Sequence, residues 1–286
     1  MRIHHLRPGD SDWVSELVQA DPPPDRLYVR GCLPRAQGIA VVGTRRMDAY
    51  GRACVELLVP EIVRFGLTVV SGLALGIDGV AHETALAAGG TTVAVIGSGV
   101  DNASIYPRAH ASLAERIIAS GGAVVSEYAP GTPSLPFHFP ERNRLIAALS
   151  KAVLVIEAPK KSGAMITARL ALEMGRDVWA VPGPITHPNA EGPNELIKNG
   201  ATPITSAGDI AAVLGLAPRQ TALPLKDALT PEERILLEKM AAGCETPDAL
   251  ARALGMGVPA VSATLTALEL KGVVRTVGGG RYTFYT

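Results

Sequence analysis

Six short apolar runs rich in β-branched residues, at 39–43, 67–71, 92–97, 123–126, 152–157 and 178–181, constrain this chain more than any other feature. Between them lie segments of helical length and spacing, at 48–65, 77–89, 108–120, 141–150 and 164–175. Near-continuous apolar strands separated by helices have to be covered on both faces, which predicts a parallel, doubly wound α/β sheet over residues 35–215. Hydrophobic content of 47% supports a large core, and 30 glycines and 22 prolines supply the many strand–helix corners. No apolar run approaches the ~18 residues of a membrane span. The N-terminus lacks the apolar core of a signal peptide, so a cytoplasmic protein is expected. Cys32, Cys54 and Cys244 are scattered, which suggests neither a disulfide framework nor a zinc site, and no metal is expected.

Outside that domain the patterning changes. Residues 1–34 are weakly patterned, contain the stiff run Pro22-Pro23-Pro24, and read as a lead-in. Residues 216–229, with Pro218 and Pro224, read as a linker. Over 230–286, Thr230-Pro231-Glu232-Glu233 and Thr246-Pro247-Asp248 are two helix starts, each a hydroxyl cap followed by proline and early acids. A third helix over 258–271 and a Gly278-Gly279-Gly280 hairpin complete a winged-helix pattern. Its third helix has no Arg, Lys, Asn or Gln between 258 and 270, the side chains that read bases or grip phosphate. Eight basic residues stand against seven acidic ones from 219 to 286, too even for a duplex-DNA footprint. A protein-contact or structural role fits this domain better.

The chemistry concentrates at the strand ends. Gly43-Thr44-Arg45-Arg46 closes the first run and opens a helix, so a hydroxyl, two guanidinium groups and free backbone N–H groups would meet at the carboxyl edge of the sheet. The second run ends in Ser71-Gly72-Leu73-Ala74-Leu75-Gly76-Ile77-Asp78, whose glycines would admit a ligand close to the backbone. His82, one turn on, fits a local hydrogen bond better than catalysis, since no second imidazole or cysteine stands near it at nucleophile–base spacing. Gly97-Ser98-Gly99 ends the third run, and Tyr106-Pro107-Arg108 brings a cation to the same rim. After the fourth run comes a long loop holding Phe137 and Phe139, two of the chain's four phenylalanines, followed by Arg142-Asn143-Arg144. Aromatics beside arginines suit stacking of unpaired bases along a phosphate groove; alternatively, one phenylalanine pins the loop to the core. The fifth corner, Lys160-Lys161-Ser162-Gly163 with Thr167, again suits phosphate at a helix start.

Formal net charge is +0, with 27 basic and 27 acidic residues, so any polyanion has to bind through such a local cluster. There is no G-x-x-x-x-G-K-[ST] loop, and Gly97-Ser98-Gly99 lacks the third glycine of the dinucleotide fingerprint, so ATP and NAD are not expected and no cofactor is assigned. The rim as a whole points to an extended polyanion.

From Tyr28 to Ile210 these motifs, in this order, resemble the DNA-processing protein A family, DprA, also called Smf. Ser126-Glu127-Tyr128, Phe137-His138-Phe139-Pro140, Gly175-Arg176 and Pro182-Gly183 belong to the same match. The resemblance implies an extended Rossmann-like domain that binds single-stranded DNA and forms a homodimer, with a C-terminal winged helix common in the family. It implies hand-over of the strand to the RecA recombinase in natural transformation, displacement of single-strand-binding protein, and no catalytic activity. It places Arg45 on the DNA backbone, with Phe137, Phe139 and the Arg142–Arg144 corner in the same groove. Two departures stand out: residues 1–34 leave no room for the small helical N-terminal domain of many members, and Thr44 replaces a frequent serine.

Two other functions fit less well. A nucleotide phosphoribohydrolase of the same superfamily needs Pro-Gly-Gly-x-Gly-Thr, where this chain has Lys160-Lys161-Ser162-Gly163-Ala164-Met165, although Glu173 follows. A winged-helix regulator would need a third helix with base-reading side chains.

Overall fold

The computed structural model of this chain describes residues 3–35, 37–215, 230–241, 244, 246–270, 273–277 and 280–284. The chain divides into two compact units, Met1–Pro218 and Arg219–Thr286. In the first, nine strands form one sheet: β1 (Ile3–Leu6), β2 (Leu27–Gly31), β3 (Gly38–Val42), β4 (Thr68–Ser71), β5 (Thr92–Val95), β6 (Ala123–Ser126), β7 (Ala152–Val155), β8 (Asp177–Ala180) and β9 (Thr202–Pro203). Their order is β1-β2-β6-β5-β4-β3-β7-β8-β9. From β6 to β9 all neighbours are parallel; six of these seven strands are the predicted apolar runs, and β9 is a further strand that they do not include.

The other two strands correct the reading of residues 1–34. β2 pairs antiparallel with β6, and β1 pairs antiparallel with β2, so this segment extends the sheet. Its sequence hides that role because neither strand is a plain apolar run. β1 buries only Leu6, and β2 contains Arg30. Arg30 is buried because its guanidinium meets Asn102 Oδ1 at 2.8 Å and both Glu115 oxygens at 2.6 and 2.8 Å.

Among the described residues, seven α-helices accompany the sheet: α1 (Ala49–Arg64), α2 (Ile77–Ala87), α3 (Ala111–Ala119), α4 (His138–Ala148), α5 (Gly163–Glu173), α6 (Glu191–Lys198) and α7 (Ala207–Val213). Alternate residues of β3 divide the core. Ile39 and Val41 pack with Leu58 and Ile62 of α1 and Val80 of α2, whereas Ala40 and Val42 pack with Leu145 of α4 and Ala168 of α5. This is the period-2 pattern of a strand buried on both faces. Two helix starts differ from expectation. α4 begins at His138, three residues before 141, which brings Phe139 into its first turn. A 3-10 turn over Arg108–His110 precedes α3, so Arg108 is not in the α-helix proper.

The second unit contains α8 (Pro231–Ala241), α9 (Pro247–Leu254), α10 (Val258–Leu270) and the antiparallel pair β10 (Val274–Thr276) and β11 (Tyr282–Phe284). Thr230 and Glu233 cap α8 reciprocally, the Thr230 N–H donating to Glu233 Oε2 at 2.8 Å and the Glu233 N–H to Thr230 Oγ1 at 3.2 Å. Leu236, Leu250, Val261, Leu265 and Val274 form its core, giving the expected winged helix. The linker assigned to 216–229 lies outside the described residues. Among the described residues, no single helix is long and apolar enough to cross a membrane.

The order of the sheet reverses beside β3. β4, β5 and β6 extend to one side, and β7, β8 and β9 to the other. In open α/β sheets, the carboxyl ends of strands at such a switch point are where ligands bind.

Candidate nucleic-acid interface

At the switch point the Thr44 N–H donates to Glu157 O at 2.6 Å, which ties the end of β3 to that of β7. Gly43 is required there, because a Cβ would lie 2.5 Å from Ile77 Cγ1. The loop is closed further by the Arg46 N–H on Thr44 Oγ1 at 3.1 Å and by Asn189 Nδ2 donating to Arg46 O at 3.1 Å. Asp48 caps α1, its Oδ1 accepting from the Tyr50 and Gly51 N–H groups at 2.7 and 3.1 Å. Those amides are therefore not free for an anion, which corrects the expectation of a helix-start phosphate site at α1. Gly76, at φ +80°, packs against the same corner: a Cβ there would meet Thr44 O at 2.3 Å.

Beside this loop lies a cleft of about 570 Å³, lined by Thr44, Arg45, Ala74, Tyr106, Phe139, Asn143, Ser162 and Gly163. Arg45 is exposed, and its guanidinium carbon stands 5.0 Å from the centre of the Phe139 ring. Tyr106 packs on Phe139 at 5.8 Å with the rings tilted by 45°. Phe137 is 57% exposed and meets His138 at 4.7 Å between ring centres, with the rings nearly perpendicular. His138 is itself fixed, stacked on Tyr128 at 3.8 Å and donating from Nδ1 to Gly97 O at 2.9 Å. Arg46 and Lys161 are exposed. Asn143 is mostly buried, its Nδ2 donating to Gly163 O at 3.2 Å, and Ser162 caps α5 through Met165 N at 3.4 Å.

Several residues expected at this surface turn inward instead. Ser71 is fully buried and donates to Val41 O at 2.6 Å. Ser98 is also fully buried, with Gly97 packed against His138. Thr167 is buried and donates to Gly163 O at 3.2 Å. Arg142 is 4% exposed; its Nη1 donates to Gly72 O at 2.8 Å and to Val95 O, joining the ends of β4 and β5. Asp78 faces it and accepts the Gly72 N–H at 3.0 Å, so a Cβ on Gly72 would strike both groups. Burial pulls the Arg142 guanidinium down to about 10 while Asp78 opposes the shift, and burial pushes Asp78 up against the pull of Arg142. Arg144 is committed to Glu127, at 2.5 and 2.7 Å, and to Pro22 O at 2.9 Å, which fastens the N-terminal segment to α4. Arg108 is exposed but bends onto Asn102 O in its own loop, and Lys160 pairs with Glu195 at 2.8 Å. Paired as Arg144 is, a guanidinium has few donors left for phosphate; Arg142 keeps an unpartnered Nε, and its burial is what withholds it.

His82 is fully buried, with Nδ1 at 2.7 Å from Thr92 Oγ1, and burial pulls its pKa to about 3. It is a core residue held neutral.

Two features of the rim were not legible as such. Tyr106 forms the back of the Arg45–Phe139 pair, although only its Tyr-Pro context marked it in the sequence. Asp48, Glu157 and His187, from three separate loops, bring their ligating atoms within 4.8 Å of one another. His187 Nε2 pairs with Asp48 Oδ2 at 3.0 Å. Burial pushes Glu157 up, whereas the Gly51 amide holds Asp48 down, so Glu157 keeps its proton to the higher pH.

Comparison with known proteins agrees with this architecture. The family model described as DNA recombination-mediator protein A matches residues 4–215, and that of the DprA winged helix domain matches residues 218–280. Protein Smf of Escherichia coli (strain K12) is 42% identical over 291 aligned residues, covering 97% of this chain and 76% of that protein. The solved structure of DNA processing protein A from Streptococcus pneumoniae superposes with a TM-score of 0.69 at 40% identity, over 74% of each chain. That of DNA processing protein A from Helicobacter pylori, described for its single-stranded DNA binding mode, gives 0.65 at 29% identity, over 74% of this chain and 95% of that one. This chain belongs to the DNA recombination-mediator protein A family, and its second unit is that family's winged-helix domain.

Proposed function

We propose that this protein is a recombination mediator that binds single-stranded DNA along the carboxyl edge of its sheet and acts without catalysis. The observation that carries the reading is the exposed Arg45 guanidinium on the Phe139 ring, beside the exposed Phe137 and the switch-point cleft. Phosphates would meet Arg45, with Arg46 and Lys161 adding long-range attraction, and unpaired bases would lie over exposed ring surface. Thr44, Ser162, Gly163 and Asn143 would shape the floor. The single-strand binding named for the Helicobacter pylori relative supports the same reading. In this role a homodimer would deliver the strand to RecA, displacing single-strand-binding protein, during natural transformation and recombination.

Fluorescence anisotropy of a labelled dT oligonucleotide and a matched duplex, over a series of salt concentrations, tests it. Binding should favour the single strand and weaken with salt. Arg45→Ala should lower affinity about tenfold and reduce the salt slope by about 0.7, the loss of one phosphate contact on a single strand. An intact protein that ignores single strands sinks the proposal. RecA-dependent strand exchange on oligonucleotide coated with single-strand-binding protein tests the delivery step; no stimulation would remove that step alone.

A further inference from the structure

The two phenylalanines of the 137–139 motif are set in different surroundings, and we infer that they do different work. Phe139 is a positioning residue that holds Arg45 ready for phosphate, whereas Phe137 is the platform for bases. The inference rests on the single-strand-binding reading above and divides its site.

Phe139 is already occupied. Arg45 lies over its ring at 5.0 Å, and Tyr106 packs against it at 5.8 Å. It is half-buried in the first turn of α4, which leaves little ring surface for an incoming base. Arg45 gains from the arrangement. Its loop backbone is fixed by the Thr44–Glu157, Arg46–Thr44 and Asn189–Arg46 hydrogen bonds, so only the side chain remains to be ordered. A guanidinium stacked on a ring keeps its N–H groups, which point outward in the guanidinium plane, free for a phosphate. Holding the side chain beforehand removes part of the ordering cost of binding.

Phe137 is the opposite case. At 57% exposure it meets one ring, His138, nearly at right angles. His138 is anchored by Tyr128 and Gly97 O, so it offers Phe137 a rigid footing without covering it. Ring surface on a fixed base is what stacking requires.

Anisotropy with two labelled ligands separates the roles: a dT oligonucleotide and an abasic oligonucleotide of equal length, which keeps the phosphates and lacks the bases. Phe137→Leu should weaken dT binding about fivefold or more and leave abasic binding unchanged. Phe139→Leu should weaken both ligands equally, by about two- to fivefold, the range of an exposed cation–π contact. In the Arg45→Ala background, Phe139→Leu should then change nothing, whereas with Arg45 present Phe139→Tyr, which keeps the ring, should bind like wild type. Independent effects of Arg45→Ala and Phe139→Leu, or abasic binding that depends on Phe137, would overturn the division while leaving single-strand binding intact. Wild type that binds neither ligand would overturn both readings together. Because Phe139→Leu can disturb α4, ¹⁵N relaxation of the Arg45 Nε–H in the free wild-type protein provides a second measure. Restricted motion supports the pairing, and motion as free as that of Arg46 overturns it.

Discussion

The loop after β3 and the first turns of α4 each carry a pair of arginines at the same edge of the sheet, yet the pairs live in different solvents. Arg45 and Arg46 face water, and the Arg45 guanidinium rests over the Phe139 ring. Arg142 and Arg144 are 4% and 8% exposed and hydrogen-bond to Gly72, Val95, Glu127 and Pro22, with the Arg142 Nε buried and unpartnered. The inner pair builds the rim on which the outer pair is displayed. An arginine motif therefore does not define a phosphate site; the partners already around each guanidinium do.

Removing an inner arginine should have the largest effect. Arg142→Met leaves Asp78 buried without its counter-charge and should cost about 3–5 kcal/mol in urea unfolding. If that variant keeps its stability but loses single-strand affinity, the contrast between the pairs collapses. Arg144→Met, which strands Glu127 in a less buried setting, should cost about 2–3 kcal/mol without a direct change in the salt slope of DNA binding. The buried layer should also carry a pH dependence. His82 takes up a proton near pH 6.5 when unfolded but only near 3 when folded, so protonation favours the unfolded chain throughout that window. Stability should fall by about 2 kcal/mol from this group between pH 7 and pH 5, and His82→Gln should flatten that part of the slope. The smallest change in stability belongs to the outer pair: Arg45→Ala should stay within about 0.5 kcal/mol of wild type. A larger loss would mean that Arg45 supports the fold as its inner counterparts do.

How far the site could be read from sequence differs residue by residue. Gly72 and Gly76 are expected to admit a ligand close to the backbone, but what approaches them is Arg142 and the Thr44 carbonyl. Ser71 and Ser98 have the residue type of a phosphate contact and the burial of a core residue. Arg30 made β2 look unlike a strand because Glu115, its partner, lies 85 positions away. In each case the local pattern reports what a residue can do, and a distant contact decides what it does.

The parallel core of the sheet, its strand ends, the winged helix and the family are legible in the residues alone, because period-2 burial, helix caps and glycine corners are local constraints. That residues 3–6 and 27–31 join the sheet, which arginines face water, and that Tyr106, Phe139 and Arg45 meet all depend on the folded arrangement. Burial and pairing between distant segments are settled by packing across the sheet edge. A guanidinium that finds carbonyls and a carboxylate there becomes structure, and one that finds only a ring remains free to bind.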